Sequence, residues 1–286
     1  MFATTAIVLL GIGAPPSSSG SGLDRDQQLV VAAFELDIAE VRTLLAGGAN
    51  PDARFGEYDE ALFEDKWTLA YSSIGSDRWT PLLAVANSHR EPQPESRTEN
   101  TSEAFETARE QLNAIDPKLI RQRDELRVEV AKLLIAAKAN LDLDDGHGAT
   151  ALSVSVDAGY ESLSMLLISK GAEVNTKTHI YIDGPDNIAP VHRASDQPAV
   201  LAAMIKRGAK VNVQDSDGDT PLHWAASDHN VASVKLLLAA GADPRIKNNE
   251  GRTPIYWCRI HGPAPSPEDE IKQEIHRLLT EAKAKK

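Results

Sequence analysis

The stretch Gly218-Asp219-Thr220-Pro221-Leu222-His223-Trp224-Ala225-Ala226 returns as Gly251-Arg252-Thr253-Pro254-Ile255-Tyr256, with Thr220 and Thr253 33 positions apart. Gly208-Ala209 and Gly241-Ala242 keep that interval, as do Ala139 and Ala172. A period of this length points to a stack of repeats, because so short a unit cannot enclose a core and must bury its apolar face against the next copy. Inside each unit the residues favour a pair of helices. Pro221 suits a first helical turn, where its missing N–H would have no intrahelical partner, and Thr220 before it offers a cap oxygen. Val234, Leu237 and Leu238 recur at helical spacing and form the face that the next unit covers. Gly241 allows the positive φ of a helix end. Aromatic residues are only 5% of the chain, which favours small interlocking helices over a sheet sandwich filled by large rings.

At these residues the chain resembles the ankyrin family, whose unit opens with Gly-x-Thr-Pro-Leu-His-x-Ala, continues in a Leu-rich helix and closes with Gly-Ala-Asp-x-Asn. The resemblance implies an all-α ankyrin-repeat solenoid of about six helix-turn-helix units over residues 23–286. The first unit, Asp24 to Arg54, lacks a Thr-Pro opening, as a terminal cap would. The second opens with Thr80-Pro81 and closes at Ala139-Asn140. The third carries Thr150 and ends at Asn175, the fourth runs from Ala189 to Asn212, and the fifth from Gly218 to Pro244. The sixth opens with Thr253-Pro254 and ends in a charged capping helix over about 267–284. From the family, His192 and His223 take the role of hydrogen-bonding residues that tie neighbouring repeats together. Two departures stand out. His229 occupies a position where the family prefers Gly, and a left-handed conformation costs a residue with a Cβ about 1 kcal/mol, so a reshaped loop is expected. Ala189 to Thr220 is only 31 positions, so the first helix or loop of the fourth unit is clipped.

The period fails in two longer places, and long loops in a compact repeat array are usually functional or disordered. Residues 55–76 carry Tyr58, Phe63, Trp67 and Tyr71 among acidic residues. Such rings serve as contact anchors or pack the loop onto the stack. Residues 88–127 split the second unit. Here Ser102 to Glu106 begins like a capped helix, Pro117 ends it, and Leu119 to Ala137 reads as one long helix, giving an arm that projects from the stack. A smaller irregularity, Lys177 to Asn187, places Tyr181 near a loop tip.

Composition limits the function. The formal net charge is -12, from 42 acidic and 30 basic residues, and a surface of that sign repels phosphate backbones, which makes nucleic acid an unfavourable partner. The single cysteine, Cys258, excludes an internal disulfide framework and a Cys-rich zinc site. Asp215-Ser216-Asp217-Gly218-Asp219 resembles part of a calcium loop, but Val213 holds the first ligand position, and no metal is expected there. No phosphate loop, paired zinc histidines or nucleophile elbow is present, so neither a catalytic constellation nor a cofactor is expected. Residues Phe2 to Ala14 form an apolar run too short to span a bilayer. Its length matches the centre of a secretory signal, although no Lys or Arg precedes it and Pro15 follows. An atypical export signal with a flexible linker over 1–22 is therefore the expectation, with a cytoplasmic protein as the alternative.

These readings converge on a noncatalytic, monomeric scaffold that binds a protein through the concave face of the stack and the inserted arm. The alternative is a regulator or inhibitor of a partner enzyme that uses an inserted loop. On the regular face, Trp224 and Trp257 lie 33 positions apart and are expected as an exposed indole pair beside Arg193 and Asp228, or as fillers of an inter-repeat groove. Tyr58, Trp67 and Tyr181 are the further contact candidates.

Overall fold

In the computed structural model, the residues described are 24–54, 79–88, 117–146, 148–178, 187–258 and 267–285. The N-terminal apolar run, residues 55–76 with Tyr58 and Trp67, most of the second insertion including Ser102 to Glu106, and Tyr181 lie outside them. The chain divides into two compact units, Met1–Asp145 and Gly146–Lys286. Every extended element among the described residues is helical, and Thr178 and Ile188 form an isolated bridge. None of the described helices is long and apolar enough to cross a membrane.

The first unit holds α1 (Arg25–Glu35), α2 (Ile38–Ala46), α3 (Pro81–Asn87) and α4 (Pro117–Ala136). Asp24 starts α1 with a reciprocal cap, its carboxylate accepting from the N–H of Gln27 while the Gln27 side chain accepts from its own N–H. Asp37 caps α2 from one side, its carboxylate accepting from the N–H of Glu40. At α3 the Thr80 hydroxyl accepts from Leu83 N–H and Pro81 follows, the arrangement its sequence implies. Packing of α1 against α3 and of α2 against α4 buries Leu29, Ala33, Leu82, Val85, Val130 and Leu134. Helix α4 spans the stretch read from sequence as one long helix, beginning two residues earlier.

The insertion within this unit leaves and rejoins the helix pair at a single point. Ser88 follows α3 and Arg127 lies within α4, and both are buried. The Arg127 guanidinium donates from Nε to Ser88 Oγ (3.1 Å) and from Nη2 to the Ser88 carbonyl (2.8 Å), while Nη1 meets Asp124 Oδ1 at 2.6 Å. A forked, delocalised cation suits this place because a helix C-terminus presents carbonyls without partners.

The second unit contains α5 (Ala151–Asp157) with α6 (Glu161–Lys170), α7 (Pro190–Arg193) with α8 (Pro198–Lys206), α9 (Pro221–Ser227) with α10 (Val231–Ala239), and a 3-10 turn (Pro254–Cys258) with α11 (Pro267–Lys285). First helices pack on first helices, α5 on α7, α7 on α9 and α9 on the turn. Second helices follow in parallel, α6 on α8, α8 on α10 and α10 on α11. Val156, Leu167, Leu201, Leu222 and Leu237 fill the space between the two rows. Of the apolar face expected on α10, Val234 and Leu237 are buried and Leu238 half-buried. The clipped fourth repeat is real: α7 has four residues, Ala194–Asp196 is a 3-10 turn, and Pro198 opens α8 at once.

The reshaped loop expected at His229 does not occur. His229 takes φ 54° in the same turn in which Gly159 takes φ 73°. Asn230 N–H bonds to Ala225 O (3.0 Å) as Tyr160 N–H bonds to Ser155 O (2.8 Å). Packing of both helices fixes the turn, and its demand outweighs the local preference of the side chain. Gly218, with φ 79°, answers a different need: a Cβ there would stand 2.7 Å from Asn249 Oδ1 and 2.9 Å from Asn249 N of the following repeat.

Candidate partner-binding surface

The first helices of the second unit are joined by a polar frame that begins at their N-termini. His192 and His223 sit three residues after the cap, where Nδ1 accepts the cap residue's N–H, from Ala189 at 3.2 Å and Thr220 at 3.1 Å. Nε2 therefore carries the proton and donates across the repeat boundary, His192 to Asp219 O (3.2 Å) and His223 to Arg252 O (3.1 Å). Burial lowers both imidazole pKa values and keeps the rings neutral. Thr150 caps α5 by accepting from Ser153 N–H, whereas the Thr220 hydroxyl lies 2.8 Å from His223 Nδ1. Thr253 precedes the 3-10 turn, in which Pro254 is buried.

Asp215 holds the next layer. One carboxylate oxygen accepts from the N–H groups of Asp217 (3.0 Å) and Asp219 (2.8 Å), and the other accepts from Trp224 Nε1 (2.9 Å). Protein donors thus engage both oxygens of the residue at the head of the calcium-like loop. Asn248, one period later, builds the same turn by accepting from Glu250 and Arg252 N–H, and its amide donates to Asp219 Oδ1 (2.9 Å).

On this frame the structure brings Arg193, Trp224 and Asp228 together. The Arg193 guanidinium lies 5.1 Å from the Trp224 ring centroid and pairs with Asp157 at 3.2 Å. The His192 ring is tilted against the same indole at 5.9 Å, and Ser195 Oγ donates to Asp228 Oδ2. Trp257 occupies the matching place one repeat on and meets the edge of Tyr256 at 5.4 Å, with the Arg252 guanidinium 4.4 Å from the Tyr256 centroid. The expected exposed indole pair is corrected by this geometry. Both indoles are half-buried, each has its own ring neighbour, and the Trp224 N–H is already committed to Asp215. What remains accessible is part of the surface of Trp224, Tyr256 and Trp257.

Sequence reasoning missed Asp215 and Asp157 as the residues that position Trp224 and Arg193, and missed the Ser88–Arg127 bond altogether. A signal for the first existed in the 33-residue interval between Asp215 and Asn248. Cys258 is buried, and burial pushes its thiol pKa up to about 11, away from thiolate chemistry at neutral pH.

Paired helices stacked in two rows, with buried histidines bonding from each repeat to the next, define a tandem helix-pair repeat protein. Residues 191–284 match the family model for ankyrin repeats in three copies, and this part of the chain is built of ankyrin repeats. Similar proteins include neurogenic locus notch homolog protein 1 of Homo sapiens, 30% identical over 113 residues, which are 39% of this chain and 4% of that protein. Rabankyrin-5 of Mus musculus is 29% identical over 109 residues, covering 35% of this chain and 9% of that protein. Alpha-latrotoxin-Lt1a of Latrodectus tredecimguttatus is 31% identical over 94 residues, covering 32% and 6%. The matched region is thus less than a tenth of the length of each of these relatives.

Proposed function

We propose that this chain is a protein-binding module whose contact surface in the second unit is the first-helix row at Arg193, Trp224, Asp228 and Trp257. The observation that carries this reading is the state of Trp224, a half-exposed indole held by a buried carboxylate on one side and a guanidinium on its face. Large rings and Arg supply most of the energy at many protein contacts, and an indole ordered in advance loses little entropy on binding. Catalysis is not part of the proposal, because the buried histidines spend both ring nitrogens on the repeat frame. The test is affinity capture with the full chain and with Trp224→Ala and Trp257→Ala, each checked for an unchanged circular dichroism spectrum. Proteins retained by the native chain and lost from either variant support the surface. Identical retention by all three rules it out.

A further inference from the structure

We infer that the first-helix row of the second unit takes a cationic peptide segment, with Arg or Lys side chains against Asp217 and Asp228 and an apolar neighbour over the indoles of Trp224 and Trp257. The inference rests on the contact surface proposed above and adds the chemistry of its occupant.

Cations are unevenly divided between the helices of the two rows. Arg193 is the sole Lys or Arg within α5, α7 and α9 and the 3-10 turns of that row, and Asp157 pairs with it. Exposed cations gather instead on the second helices, with Lys170 and Lys206 in their last turns, where a helix dipole favours positive charge. The carboxylates of the first row are placed against that rule. Asp157 ends α5, Asp196 ends the 3-10 turn after α7, and Asp228 caps the C-terminus of α9. Each faces the negative end of its helix, so helix stability does not account for them. Asp217 and Glu250 add exposed carboxylates at the loops before α9 and before the Pro254 turn, and Glu250 pairs with Arg252. The half-buried indole surface offers apolar cover for an aliphatic stem, and the exposed Asp217 and Asp228, which pair with no cation among the described residues, offer charge for its head, a match that an acidic segment would not find.

The experiment measures fluorescence anisotropy of three labelled peptides against the full chain: one alternating Arg and Leu, one with Gln for every Arg, and one with Glu for every Arg. The variants are Asp217→Asn with Asp228→Asn, the charge-matched control Glu161→Gln with Glu270→Gln, and Trp224→Ala. The Arg peptide binds best, the Asp217/Asp228 pair weakens it about fivefold or more, and the control pair changes it less than twofold. Equal losses from both pairs would mean diffuse attraction to an acidic protein and would overturn the inference. Tighter binding of the Gln or Glu peptide, lost in Trp224→Ala, would overturn the cationic occupant while leaving the contact surface standing. Binding of every peptide unchanged by Trp224→Ala would remove the surface as well.

Discussion

Replacing Arg127 by Met removes the buried bond between the two ends of the insertion while keeping much of the side-chain volume. Two hydrogen bonds to Ser88 are lost, at 2.8 Å and 3.1 Å, and Asp124 loses its partner. Hydrogen bonds to a charged group contribute about 1.5–3 kcal/mol each. Against that stands relief from holding a guanidinium away from water, which offsets a large part of the gain for any buried ion. The Asp124 side chain keeps 34% of its exposure, so the ion pair itself adds little. The balance is a loss of about 2–3 kcal/mol, confined to the first unit. Hydrogen exchange read by mass spectrometry separates the units, since peptides from α3 and α4 report on one and peptides from α9 and α10 on the other. The expected acceleration in α3 and α4 is about 30- to 160-fold, the same free energy expressed as a rate, with α9 and α10 unchanged. Exchange in α3 and α4 within twofold of the native chain would refute the reasoning and reduce the Ser88–Arg127 bond to a contact of no energetic weight.

Acidification from pH 7 acts in opposite directions on the two units. Burial lowers the His192 and His223 pKa values, so at these two residues the unfolded chain binds more protons and the second unit loses stability as pH falls below about 6.5, until the Asp219 carboxyl, whose pKa burial raises, works against the loss at lower pH. Glu35 is raised to about 7 by burial and by Asp37, so the folded first unit takes up a proton first and gains stability between about 7 and 4.5. Unit-resolved exchange across this range checks both signs, and Glu35→Gln removes the gain. Urea unfolding of His229→Gly is expected to show a gain of about 0.5–1 kcal/mol, because Gly relieves a positive φ at an entropic cost that offsets part of it. Gly218→Ala combines a left-handed backbone with a Cβ 2.7 Å from Asn249 Oδ1 and is expected to lose about 2–4 kcal/mol; a loss under 0.5 kcal/mol would contradict the close approach.

The repeat frame was legible because each of its parts has a local cause. Thr80-Pro81 starts a helix wherever it stands, and Gly241 permits φ 91° by itself. The contacts that orient Trp224 were not legible for the opposite reason. Asp215 reads as a turn residue, and its second oxygen becomes an acceptor for an indole nine positions away only after the turn and α9 have packed. Ser88 and Arg127 are 39 positions apart, and no periodicity joins two residues that become neighbours because an insertion returns to its point of departure. His229 failed as a sequence inference through too much weight on local preference. The turn is held at both ends by helices whose burial exceeds the strain of a single residue.

The same frame explains why the proposed contact surface centres on Trp224 instead of on the histidines next to it. His192 and His223 are consumed by the bonds that join repeats, so changing them alters the stack before it alters any contact. Trp224 is held by one hydrogen bond, the Arg193 guanidinium and the His192 ring yet keeps surface outside the core, so the frame fixes its orientation without using all of its area. Removing Asp215 and removing Trp224 should therefore differ in kind. Asp215→Asn leaves one acceptor oxygen for the three donors that Asp215 holds, so the indole or the turn before it loses a bond, and a bound peptide weakens mainly through loss of order. Trp224→Ala removes the contact area itself. A peptide affinity more sensitive to Asp215→Asn than to Trp224→Ala would mean that the carboxylate, and not the ring it positions, meets the partner.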